Sequence, residues 1–92
     1  MDAVDRAQVM LLTRKGCSLC ERTAARLSEL AVELGFDFAS TDVDAAAAAG
    51  DSSLRAEFGD RLPVVLLDDR EHSYWELDEL RLRADIGRRN EG

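Results

Sequence analysis

Long apolar runs are missing from this chain of 92 residues. The longest near its start is Val9 to Leu12, behind the polar and acidic stretch Met1-Asp2-Ala3-Val4-Asp5-Arg6. Neither a secretory signal nor a membrane span can be drawn there, so the expected location is the cytoplasm. Positive charge is also scarce. Twelve basic against nineteen acidic side chains give a formal charge of -7, which repels phosphate backbones and anionic bilayers and argues against nucleic acid or a membrane as partner. Lysine is almost absent: eleven of the twelve basic residues are arginine, a bias we read as genomic and from which we infer no function. No repeat or linker interrupts the chain, and its length suits one core, so a single domain over residues 1–92 is expected. Only two cysteines are present. In a reducing compartment, a close pair serves catalysis, redox sensing or metal binding more often than a permanent cross-link.

What is present is the composition of an ordinary globular protein, 46% apolar and 34% charged. Val9-Met10-Leu11-Leu12-Thr13 is a short apolar run that predicts a buried strand. Over Ser18–Leu34 the residues Cys20, Ala24, Leu27, Ala31 and Leu34 recur at spacings of three and four, which predicts an amphipathic helix. Ser18 and Glu21 suit a capping box at its start and Gly35 a left-handed terminator at its end. Phe36–Thr41 reads as a second strand. The five alanines within Asp42–Gly50 favour helix by propensity but carry little apolar area, and a short helix with Leu54 and Phe58 follows, closed by Gly59. Val64–Leu67 is a third strand introduced by Pro63, Asp68–Glu71 a turn, His72–Trp75 an antiparallel edge strand, and Glu76–Ile86 a last helix whose stripe is Leu77, Leu80 and Ala84. The order βαβαββα implies an α/β fold: a four-stranded mixed sheet flanked by helices, with one right-handed parallel crossover and one antiparallel hairpin.

Cys17 and Cys20 stand where the first strand gives way to the first helix. Cys17 there lies near unpaired backbone N–H groups and the positive end of the helix dipole, a setting that favours a thiolate. Arg14 and Lys15, just ahead, are placed to lower the thiol pKa further. Cys20, one turn on, is within reach of a disulfide to Cys17. The chemistry this predicts is attack by the Cys17 thiolate on a substrate disulfide, followed by resolution of the mixed disulfide by Cys20.

Three segments, Leu11 to Cys20, Gly59 to Leu67 and Trp75 to Arg81, together resemble the small glutaredoxin-like proteins of bacteria, members of the thioredoxin-fold superfamily. The resemblance covers nearly the whole chain. It implies the thioredoxin/glutaredoxin-like fold, a cis peptide bond before Pro63 packed beside the Cys-x-x-Cys, and substrate contact through Pro63 and the backbone of Leu62. Lys15 is taken as a further substrate contact. Compared with typical glutaredoxins, Cys-Ser-Leu-Cys replaces Cys-Pro-Tyr-Cys, Arg61-Leu62-Pro63 replaces Thr-Val-Pro, and Ser73-Tyr74-Trp75 stands near the usual Gly-Gly pair. The partners expected are a disulfide-containing protein or small-thiol substrate, and a reductant that is either a low-molecular-weight thiol or a reductase. The protein is expected to act as a monomer without a cofactor.

Two rival uses of these residues are weighed against that reading. A Cys-x-x-Cys can supply half of a metal or iron–sulfur site, but with no third cysteine and His72 on the far edge strand such a site would require a dimer or an external thiol. A non-catalytic binding module would use Tyr74 and Trp75 as amphipathic aromatics. The plainer expectation is that Trp75 anchors the last helix to the sheet, and that His72 is an edge or surface residue.

Overall fold

The computed structural model describes residues 6–91. Strand β1 (Gln8–Thr13) forms where alternate side chains each find an apolar layer. Val9 and Leu11 face one core, while Leu12, with Met10 beside it, faces the other. Strand β3 (Val64–Leu67) repeats the pattern, Val65 joining the first core and Val64 and Leu66 the second. Strands covered on both faces need no polar alternation, which is why both read as unbroken apolar runs.

Helix α1 (Ser18–Leu34) buries Leu27 and Leu30 in the first core, and Gly35 stops it at φ 76°, its N–H donating to Ala31 O at 2.9 Å. Only glycine takes that left-handed geometry without steric cost. Strand β2 (Asp37–Asp42) follows and pairs parallel with β1, Leu12 opposite Thr41. Helix α2 (Val43–Ala48) starts at Asp42, whose carboxylate accepts from Asp44 N at 2.9 Å and Ala45 N at 3.1 Å. The alanine run is thus helical, with Val43 its one buried residue. Helix α3 (Ser53–Phe58) adds Phe58 to the second core. Beyond β3, a hairpin leads to strand β4 (Arg70–Tyr74) and then helix α4 (Glu79–Glu91). The sheet order is β2-β1-β3-β4, with β1 antiparallel to β3 and β3 to β4. Helices α1 and α4 cover one face, α2 and α3 the other. This is the α/β thioredoxin fold.

Several local expectations are corrected. The cap of α1 is Cys17, its sulfur accepting from Cys20 N, and no Ser18–Glu21 capping box forms. The β3–β4 turn is the pair Asp68-Asp69, at φ 50° and 69°, rather than four residues, so β4 begins two residues early and Trp75 falls outside it. Trp75 is 56% exposed and does not anchor α4. Helix α4 starts at Glu79 instead of Glu76, because Trp75 turns the chain at φ 64° and Asp78 then caps the helix by accepting from Arg81 N at 3.1 Å. Its buried stripe runs through Leu82 and Ile86, leaving Leu80 83% exposed and Ala84 exposed as well. Leu77, ahead of the helix, still packs against the first core. A bulge at Val65/Leu66 shifts the β4 register, and His72 is buried with Nε2 2.7 Å from Asp85 Oδ2 instead of lying on the surface.

Candidate functional site

The C-terminal end of β1 and the N-terminal end of β3 lie side by side, since Leu12 pairs with Val64. The chain leaves β1 through Arg14-Lys15-Gly16, with Gly16 at φ 81°, a left-handed turn that brings Cys17 to the start of α1. Cys17 has extended backbone geometry and its Sγ accepts from Cys20 N at 3.1 Å. A sulfur in that position satisfies one of the orphan donors of the first turn and sits at the positive end of a 17-residue helix. Cys17 and Cys20 are joined as a disulfide across a Cα–Cα distance of 5.2 Å, within the span such a bond requires. The two sulfurs are unequally accessible. Cys20 is 2% exposed, whereas Cys17 is half-buried at the surface.

The basic pair ahead of Cys17 divides. Arg14 lines the same cleft as Lys15 and Cys20 but holds the Asp44 carboxylate through Nε at 2.7 Å and Nη2 at 3.2 Å, so its charge is matched by Asp44. The same pairing raises the Arg14 pKa and lowers that of Asp44, the hydrogen bond being the first cause in both. Lys15 is exposed and makes no hydrogen bond or ion pair among the described residues. It lines a shallow cleft of about 360 Å³ with Thr13, Cys20, Glu21, Ala24 and Ser40, on the β2 side of the disulfide. Leu62 and Pro63 stand on the opposite, β3 side of β1, joined by a cis peptide bond. Pro63 is buried and its carbonyl accepts from Trp75 N at 2.9 Å. The five residues nominated from sequence therefore share one end of the sheet, with Lys15 sharing a cleft with Cys20 and the Leu62-Pro63 pair leading into β3 on the other side of β1.

Asp44 is a neighbour that sequence reasoning missed. The alanines around it concealed that this helix returns beside the Arg14 loop. The buried contact between His72 and Asp85 was missed for a different reason, because a bulge leaves no mark on the alternation of one strand. Among the described residues, no group of three or more His, Cys, Asp or Glu side chains is placed to hold a metal ion, and no helix is long and apolar enough to cross a membrane.

A parallel β1–α1–β2 unit, an antiparallel hairpin ending beside it and a Cys-x-x-Cys at the first helix define a thioredoxin-fold protein with a dithiol motif. Residues 8–87 match the family model described as "Glutaredoxin-like domain (DUF836)", and the chain belongs to that family. Uncharacterised proteins of Mycobacterium tuberculosis and Mycobacterium bovis are 67% identical over 85 residues, covering 92% of this chain and 88% of each relative. Among solved structures, the solution structure of a Nitrosomonas europaea protein matches with a TM-score of 0.72 at 25% identity, over 92% of this chain and 96% of that one. The crystal structure of Fasciola hepatica thioredoxin matches with a TM-score of 0.60 at 25% identity, over 90% and 80% of the two chains.

Proposed function

We propose that the protein is a thiol–disulfide oxidoreductase of the glutaredoxin-like kind, with Cys17 as nucleophile and Cys20 as resolving thiol. The observation that carries this reading is the unequal placement of two sulfurs that can bond: Cys17 at the helix start with its surface open, Cys20 one turn deeper. In the reduced protein the Cys17 thiolate attacks one sulfur of a substrate disulfide, forming a mixed disulfide and expelling the other substrate sulfur as a thiolate. The Cys20 thiolate then attacks Cys17 Sγ, which releases the second substrate thiolate and leaves the Cys17–Cys20 disulfide. The substrate gains two electrons and the protein loses two. A low-molecular-weight thiol or a reductase returns them.

The remaining nominated residues serve binding. Lys15 supplies an unmatched positive charge near the nucleophile, which stabilises a thiolate and attracts an anionic substrate group. Leu62 offers backbone groups, and Pro63 a buried apolar wall, to the substrate chain on the β3 side. A protein disulfide or a small-thiol disulfide is the substrate class, the protein works as a monomer without a cofactor, and the cytoplasm, where thiol reductants are supplied, is the compartment.

A redox titration of the purified protein in a thiol/disulfide buffer tests the reading. A reversible two-electron couple between about −300 and −180 mV belongs to a working exchange protein. Cys17→Ser is expected to abolish exchange, and Cys20→Ser to accumulate a mixed disulfide visible by mass spectrometry. An intact fold with no reversible couple and no mixed disulfide would overturn the proposal.

A further inference from the structure

Between β4 and the start of α4 lies a second cleft, of about 760 Å³. Glu71, Glu76 and Asp78 bring three carboxylates to its lining against the single guanidinium of Arg81. That guanidinium is already flanked, by Asp78 at 4.0 Å and Asp85 at 3.9 Å. Glu71 is matched by Arg61 at 3.1 Å, but the Glu76 side chain has no partner among the described residues. Tyr74 forms one wall, and the exposed Trp75 ring meets it edge to face, with centroids 5.0 Å apart. His72 also lines the cleft and is 9% exposed. Its Nε2 lies 2.7 Å from Asp85 Oδ2 and 3.4 Å from Arg81 Nε, so the ring is already tied to both members of that pair. The unmatched groups here are acceptors, a carboxylate and aromatic faces, the complement of a cation bearing N–H donors.

We propose that this cleft receives an arginine or lysine side chain of the substrate protein, so that the enzyme selects disulfides flanked by basic residues. The inference rests on the dithiol reading of Cys17 and Cys20 and names the substrate class for it. Position ties the two sites together. Trp75 N–H donates to Pro63 O at 2.9 Å, so the aromatic pair stands at the same end of the sheet as the disulfide. Strand β4 is two strands from β1, roughly 10 Å at the usual strand spacing of about 4.8 Å. An extended substrate covers that distance in about three residues. The net charge of -7 favours the approach of such a substrate.

The chain has one tryptophan, and its ring contact with Tyr74, which lines the cleft, supplies the readout. The oxidised protein is titrated with two disulfide-free peptides, Arg-Gly-Ser-Gly-Arg and Glu-Gly-Ser-Gly-Glu, while Trp75 fluorescence is followed. The basic peptide is expected to bind at least about tenfold more tightly, and to weaken as salt rises. Glu76→Lys is expected to reduce that affinity about fivefold or more, while exchange with uncharged hydroxyethyl disulfide stays within about twofold of the parent. Equal binding of the two peptides, no binding of either, or an unchanged affinity in Glu76→Lys overturns the inference, as does argininamide binding as tightly as the basic peptide. Failure of the dithiol reading shows separately, as absent exchange with hydroxyethyl disulfide.

Discussion

At the scale of single residues, the two cations ahead of Cys17 give the sharpest contrast. Adjacent in sequence, they look interchangeable, yet Arg14 spends its charge on Asp44 while Lys15 stays unmatched beside the sulfurs. Lys15→Gln is expected to slow alkylation of Cys17 by iodoacetamide about three- to tenfold near neutral pH, and to move the pH–rate profile toward alkaline values, because a nearby ammonium favours the thiolate. Arg14→Gln should leave that profile nearly unchanged. If the two variants behave alike, the division of roles between them is wrong. The pairing of Cys17 with Cys20 was legible from their spacing and their place at a strand–helix junction, which need no long-range information. The Arg14–Asp44 pair was not, since its members are thirty residues apart and meet only once α2 has folded back.

At the scale of elements, strong local signals survived and weak ones slipped. Helix α1 kept both predicted ends, Ser18 and Leu34, because seventeen residues of consistent periodicity and a terminating glycine agree with one another. The hairpin slipped by two residues because Asp68-Asp69-Arg70-Glu71 is uniformly charged, and nothing in its composition separates turn from strand. The turn residues Asp68 and Asp69 hold positive φ, a geometry costly for most side chains but not for glycine. Asp68 also accepts from Gln8 N at 3.0 Å and Arg89 Nε at 2.6 Å, so it is the member to keep. Asp69→Gly is expected to stabilise the fold by about 0.5–1 kcal/mol, measured as a higher urea midpoint at unchanged slope. Helix α4 offers a test of its corrected stripe. Leu82→Ala removes a fully buried side chain from the first core and should cost about 2–5 kcal/mol. Leu80→Ala, on the exposed face, should stay within about 0.5 kcal/mol. The reverse ranking would restore the stripe that runs through Leu80.

At the scale of the whole molecule, the two faces of the sheet are closed by different means. Helices α2 and α3 add a few apolar side chains over β1 and β3, whereas α1 and α4 share a core and are also laced together on the outside. Arg26 of α1 holds Glu79 of α4 through two 2.8 Å hydrogen bonds, and Arg83 of α4 reaches back to Glu33 of α1 while also contacting Glu79 at 3.3 Å. Exposed pairs taken singly contribute little, but Glu79 answers to two arginines at once. Its pKa is lowered to about 2, first by the hydrogen bond from Arg26, and Glu33 is lowered by its bond to Arg83. A carboxylate whose pKa is depressed on folding binds fewer protons in the folded than in the unfolded state. Its contribution is complete above the ordinary carboxylate pKa, fades as the pH falls below that value, and is gone once the pH passes below the folded pKa. The urea midpoint is therefore expected to fall as pH drops from about 4.5 toward 2, in the range where unfolded glutamate takes up its proton. Arg26→Leu should flatten that limb, lowering stability at pH 6 more than at pH 2.5, because at the lower pH the parent has largely lost the same interaction. An equal loss at both pH values would assign the role of Arg26 to its aliphatic packing and not to the charge it shares with Glu79.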